Sequence, residues 1–250
     1  MFVMSKKEIT KTLIISGTIL VIALILVFAF KSPSSKNTIN VEGTATIDAM
    51  PNLIGIYFNV QTSGDTTAEA NEANAEIVED LKSSLDILGI KEDEIKTQNY
   101  NIYQDYDWVN GERVEKGYVA SHSIKIELDT GNLSKIGLVV DAGADAGAAI
   151  NYINFELSSE LQNSYKAEAM QLAAQDARMK AEAIAVGLNK KVGRLVSVST
   201  SDFGYSPWNL YTAKGLGVAE DAEEARTATT SIAPSEQEIS SRVSVVFKLR

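Results

Sequence analysis

An α+β domain carried behind one apolar N-terminal segment is the fold class this 250-residue sequence predicts. Three observations lead there. Strict two-residue alternation recurs in neighbouring segments, so strands come in pairs. Between the pairs, apolar residues recur at spacings of three and four, the pattern of amphipathic helices. Ahead of both, the eighteen residues from Leu13 to Phe30 carry no charge. The predicted order is ββα-ββ-αβαββ, with antiparallel or mixed sheets and helices packed on one face.

The elements follow in chain order. Ile39 to Ala49 alternates, with Ile39, Val41, Gly43, Ala45, Ile47 and Ala49 on one face. Pro51-Asn52 turns the chain, and Ile54, Ile56, Phe58 and Val60 form a second strand. Thr66 to Leu88 is a helix, capped by Asp65 and ended by Gly89. Ile95 to Trp108 and Gly117 to Leu128 make a long hairpin around Asn110-Gly111, a strong turn dipeptide. A helix over Asn132–Ala146 and a strand over Ile150–Leu157 come next. An alanine-rich helix then runs from Glu160 to Leu188, its stripe formed by Ala173, Ala177, Ala181 and Ile184. Lys191 to Ser199 is a strand, Phe203 to Ser235 a long loop without a usable period, and Ile239 to Leu249 a closing strand.

The apolar segment sets the compartment. Eighteen residues in a helix span roughly 27 Å, close to the hydrocarbon core of a bilayer at about 30 Å. Lys6, Lys7 and Lys11 precede it, which keeps that end in the cytoplasm and places the rest outside. The division is therefore a cytoplasmic tail over 1–12, a transmembrane anchor over 13–30, a polar linker over 31–38 and an extracytoplasmic domain over 39–250. A secreted or periplasmic body after cleavage near Ala29 is the alternative.

Composition excludes several chemistries. There is no cysteine, hence no disulfide, thiolate nucleophile or Cys-based metal site. A single histidine, His122, leaves no basis for a histidine metal cluster. The formal net charge is −10 and the first thirty residues contribute +2, so residues 31–250 carry −12. A body this acidic repels nucleic acid. His122 shares a strand face with Ile124 and Ile126 and reads as a structural histidine bonded to backbone or a hydroxyl. Glu220, Asp221, Glu223 and Glu224 lack the spacing of a calcium loop and read as a solvated segment. No catalytic, cofactor-binding or metal-ligating set emerges, and the chain reads as a non-enzyme without a cofactor. The aromatic residues are the candidate interaction set: Tyr100, Tyr103, Tyr106, Trp108 and Tyr118 on the hairpin, and Trp208 in the long loop.

Four stretches carry a resemblance: "VEGTATIDAMPN" from Val41, "KEDEIKTQNYNIYQDY" from Lys91, "GYVASHSIKIEL" from Gly117, and "AEAMQLAAQDARMKAEAIAVGLNKKVGRLVSVS" from Ala167. In order and spacing they resemble the SIMPL-domain family, exported proteins some of which are labelled oxidative-stress defence proteins. The chain departs from the family pattern at Asn52, Gln104 and Glu168-Ala169. The resemblance implies export, self-assembly into a homo-oligomer and a role in envelope maintenance or stress tolerance; it implies no reaction. The expected function is binding and assembly by a membrane-anchored body. Two alternatives stay open: a carbohydrate-binding module using the aromatic hairpin, and a hydrolase using the carboxylates at 220–224.

Overall fold

A computed structural model of the chain describes residues 37–215, 217–229 and 234–250, together with Thr18 and Ile22. Apart from those two, the segment read as an anchor lies outside the described residues. Among the described residues no helix is long and apolar enough to cross a membrane.

The first two strands, β1 (Thr38–Ala49) and β2 (Leu53–Gly64), belong to different sheets. The change of sheet falls at Pro51, which cannot donate to a ladder. Asn52 anchors the corner. Its side chain accepts from Ser158 N at 2.8 Å and donates to Ser158 Oγ at 3.2 Å. Next comes α1 (Thr67–Ile87), whose cap is Thr66 and not Asp65. Thr66 Oγ1 accepts from Glu69 N while the Glu69 carboxylate accepts from Thr66 N, a reciprocal capping box. β3 (Ile95–Val109) and β4 (Glu112–Asp129) form the predicted hairpin, longer at its tip than the alternation indicated. A 3₁₀ turn over Thr130–Lys135 leads into α2 (Ile136–Ala146), and β5 (Ala149–Glu156) follows. The long helix α3 spans Ser159–Gly187 and ends at Asn189, which is left-handed at φ 53°.

The last quarter corrects the sequence reading. β6 runs from Val192 to Gly204, and the region expected to be a long loop holds β7 (Trp208–Thr212) and α4 (Val218–Thr229) before β8 (Gln237–Leu249). No pairing among the described strands is parallel, so the sheets are not mixed. One sheet has the order β1-β8-β6, the other β3-β4-β2-β5-β7.

Each sheet has its own cover. Ile54, Ile56 and Phe58 of β2, Ile124 and Ile126 of β4, and Ile153 and Phe155 of β5 face α1, α2 and α4 in the main core. Gly143 of α2 rests directly on the Phe58 ring, where a Cβ would overlap it. Among the described residues the helix that covers the three-stranded sheet is α3. Ala169, Ala173, Ala177, Ala181 and Ala185 form its buried stripe, so the stripe continues to Ala185 while Ile184 faces out. Single methyl groups let the helix reach the sheet at Gly43, where any Cβ would overlap the Ala173 carbonyl oxygen. Thr44 N donates to Asp176 Oδ2 at 2.9 Å and Lys180 Nζ donates to Glu42 O at 3.2 Å. The outer edge of β1 is thereby occupied by helix side chains. β6 forms the opposite edge of this sheet.

Candidate functional site

The hairpin is built to project. Asn110 and Gly111 have φ 54° and 87°, as a type I′ turn requires. β3 pairs with β4 from Ile95 to Val109, but β2 pairs with β4 only between Tyr118 and Asp129. Residues 105–117 therefore form a two-stranded ribbon beyond the end of β2. Gly117 marks the departure point. Its φ is +95°, and a Cβ there would overlap the Gly64 carbonyl oxygen. The register also shifts between Asp105 and Tyr106, which turns the ribbon away from the sheet.

A bare two-stranded ribbon is marginal in water. Here side-chain contacts within β3 and across to β4 hold it. Tyr106 and Trp108 meet edge to face at 6.4 Å, the Arg113 guanidinium lies 4.3 Å over the Tyr106 ring, and Lys116 pairs with Asp107 at 2.9 Å. Trp108 keeps 67% of its surface exposed, and Tyr103 and Tyr106 are also exposed. Tyr118 is half-buried at the base of the ribbon. Tyr100 lies lower on β3 and donates to Asn71 of α1.

Trp208 does not join this group. It sits on β7, at the edge opposite β3, and stacks on Phe155 with centroids 5.2 Å apart. Its neighbours are likewise engaged inside the fold. Tyr205 Oη accepts from Leu157 N at 2.7 Å, and Tyr211 Oη donates to Asp221 at 3.2 Å. Burial and the Asp221 charge push the Tyr211 phenol up to about 12. The acidic group falls on α4, not on a loop. Asp221 also accepts from Lys214 N and Gly217 N, Glu224 pairs with Lys214, and Glu223 pairs with Arg226. Among the described residues no cluster of three or more carboxylates and histidines is placed to hold a metal ion.

His122 is half-buried, less enclosed than its strand alternation indicates. Its Nε2 lies 2.9 Å from Thr97 Oγ1, the hydroxyl partner expected, and the ring meets Tyr100 edge-on at 5.2 Å. Burial, then the nearby Lys82 charge, lowers its pKa. The fold therefore favours the neutral ring. Stability associated with it is present above the ordinary value of 6.5 and is lost as pH falls toward the folded value. Thr97 is exposed, so His122→Ala should cost about 1 kcal/mol at pH 7.5. That cost should shrink as the pH is lowered through 6, as measured by paired thermal melts.

The opposite face of the five-stranded sheet holds an ion network that the alternation pattern did not reveal. Lys125, only 9% exposed, reaches Glu156 at 2.7 Å and Glu127 at 2.8 Å, and Lys96 also pairs with Glu127. Tyr57 Oη donates to Glu156 Oε1 at 2.7 Å, and its ring stacks on Tyr152 at 4.1 Å. Gly55 makes room, since a Cβ there would press on Glu156 and Lys125. Burial alone would lower the Lys125 pKa, but its bonds to Glu127 and Glu156 outweigh it and raise the value. Burial raises Glu127, yet the two lysines hold it below its ordinary range.

The family model described as "SIMPL: Protein of unknown function (DUF541)" matches residues 39–247. The chain belongs to the SIMPL family. The sequence resemblance is thus upheld over residues 39–247. Among SIMPL relatives, the uncharacterized protein YggE of Escherichia coli K12 is 28% identical over 167 residues, 66% of each chain. The match therefore spans just under two thirds of that relative's length. YggE of Edwardsiella ictaluri is 28% identical over 216 residues, 83% of this chain and 85% of that one. The 26 kDa periplasmic immunogenic protein of Brucella melitensis is 25% identical over 252 residues, 94% and 95% of the two chains.

Proposed function

We propose that this SIMPL protein is an extracytoplasmic body, tethered to the membrane by residues 13–30, that works by binding and assembly rather than by catalysis. The ribbon over 105–117 carries the reading: it leaves the sheet and presents Tyr106 and Trp108 to solvent. The uncharged run behind three lysines supports the tether, and the periplasmic name of the Brucella relative supports the compartment. In this reading the ribbon contacts a neighbouring copy of the body. The net charge of −12 opposes association, but surface charge pairs contribute at most about 1 kcal/mol and are screened beyond roughly 8 Å. Burying one large aromatic contributes about 2–3 kcal/mol, so two or three rings decide the sign. Tethering in a plane raises local concentration further. A role in envelope maintenance or stress tolerance fits such an assembly.

The test is sedimentation velocity of the full chain in mild detergent. Wild type should sediment as an oligomer. Tyr106→Ser with Trp108→Ser should shift it to monomer while the far-UV circular dichroism stays unchanged. A monomeric wild type, or a double variant of unaltered size, would overturn the reading. In that event the open Trp108 ring points to sugar stacking, which a glycan-binding screen would detect.

A further inference from the structure

Between α1 and the β3–β4 pair lies a cleft of about 320 Å³. It exists because α1, α2 and α4 cover the middle of the five-stranded sheet and leave β3 largely bare. The hydrogen bond from Tyr100 to Asn71 closes one end, and His122 forms part of the floor. The helix wall is one stripe of α1, with Asn74, Val78, Glu79 and Lys82 at helical spacing.

Four side chains in this cleft have bonding capacity that the fold leaves unused. Asn74 is only 2% exposed. Its Nδ2 is committed to Val60 O at 3.0 Å and Ala120 O at 3.4 Å, which fixes the amide. Its Oδ1 accepts no hydrogen bond among the described residues and is not sealed from solvent, so it stands open to a donor that enters the cleft. Glu79 and Lys82 carry opposite charges at the mouth. Among the described residues neither forms an ion pair, although they stand three positions apart on one helix face. Thr97 occupies His122 Nε2 and leaves Nδ1 available. The remaining wall is apolar: Ala75, Val78 and the Tyr100 ring.

We propose that this cleft binds a small amino-acid zwitterion with an apolar side chain. The acceptors Asn74 Oδ1 and Glu79 take the ammonium group, and Lys82 with the His122 ring takes the carboxylate. The side chain packs on Val78 and Tyr100. A volume of about 320 Å³ is room for one free amino acid together with several waters. It also lies at the lower end of small-molecule sites, which run from about 300 Å³. Charge balance favours a zwitterion over a simple anion. A free carboxylate must approach a body of net charge −12 and settle beside Glu79, while a zwitterion meets one matching charge at each end.

Isothermal titration of the full-length protein in detergent at pH 7.5 tests this, with L-leucine and L-phenylalanine against acetate and isobutylamine. The amino acids should bind at least tenfold more tightly than either single-charge probe. Lys82→Met and Glu79→Gln should each weaken them at least tenfold, and both residues are exposed enough to leave the fold intact. Tyr106→Ser with Trp108→Ser should leave this binding unchanged, which separates the cleft from the assembly ribbon. Absence of binding at millimolar amino acid, equal binding of acetate, or variants that bind like wild type would each overturn the proposal.

Discussion

Gly43→Ala is expected to destabilise the body by about 3 kcal/mol, through a single methyl group. The site tolerates none, since the added Cβ overlaps the Ala173 carbonyl oxygen and stands 2.5 Å from Ala177 N and 2.8 Å from Ala177 Cβ. Two of those three atoms are backbone, so no rotamer change relieves the overlap. The helix must retreat along its alanine stripe, which opens space at Ala173, Ala177 and Ala181 and stretches the bonds from Thr44 and Lys180. Overpacking typically costs about 1–3 kcal/mol, and the rigid contact places this case at the upper end. For a body of this size each kcal/mol moves the melting temperature by about 2–4 °C, so a drop of about 6–12 °C should appear by calorimetry. Ala177→Gly in the same chain should not restore it, because the Ala173 oxygen remains. A variant that melts with wild type would show that α3 is not held against β1 as described.

Lys125→Met should cost about 3–5 kcal/mol, the range for removing one partner of a buried ion pair. The methylene stem is largely retained, so the loss is electrostatic. Glu156 and Glu127 then share a nearly closed space without the ammonium group between them. The pH response distinguishes this from a packing defect. In wild type, Glu127 is held below its ordinary value of 4.5, so its contribution is present above that pH and is lost as the pH falls through the folded value. The raised Lys125 contributes below its ordinary 10.5 and loses its effect as the pH rises through the folded value. In the variant Glu127 loses one of the two lysines that hold its pKa down and gains a proton more readily, so the gap to wild type should narrow from pH 7 to pH 5. Adding Glu156→Gln should recover part of the loss at pH 7. Chemical denaturation across this range reads both effects. A gap constant with pH would assign the cost to packing.

These residues also show what the sequence displayed and what it hid. β1, β2, α1 and the hairpin were legible because each bears one clean period and a recognisable end, such as Asn110-Gly111 or Gly89. β7 escaped notice because it has only five residues and a register shift beside it. α4 escaped because its buried positions, Ala222 and Ala225, are too small to mark a helical stripe. The hairpin aromatics were found in place, but Trp208 was grouped with them by composition and lies at the other edge of the sheet. The ion network was hidden because Lys125, Glu127 and Glu156 occupy positions that alternation assigns to solvent. The cleft around His122 joins residues from positions 71–82 and 97–122, a meeting that only tertiary packing creates.

The pairing of β1 with β8 sets the order of assembly. Twelve residue pairs, from Thr38 opposite Lys248 to Ala49 opposite Gln237, join the first described strand to the last. Among the described strands β1 has no other neighbour, and its second support, α3, begins at Ser159. During synthesis β1, which ends at Ala49, therefore waits for a partner that begins only at Gln237, and closing so large a loop is slow. The small sheet cannot form on a nascent fragment. A chain truncated before Gln237 leaves β1 and β6 without the strand that joins them, so the small sheet closes only once β8 is free to fold back.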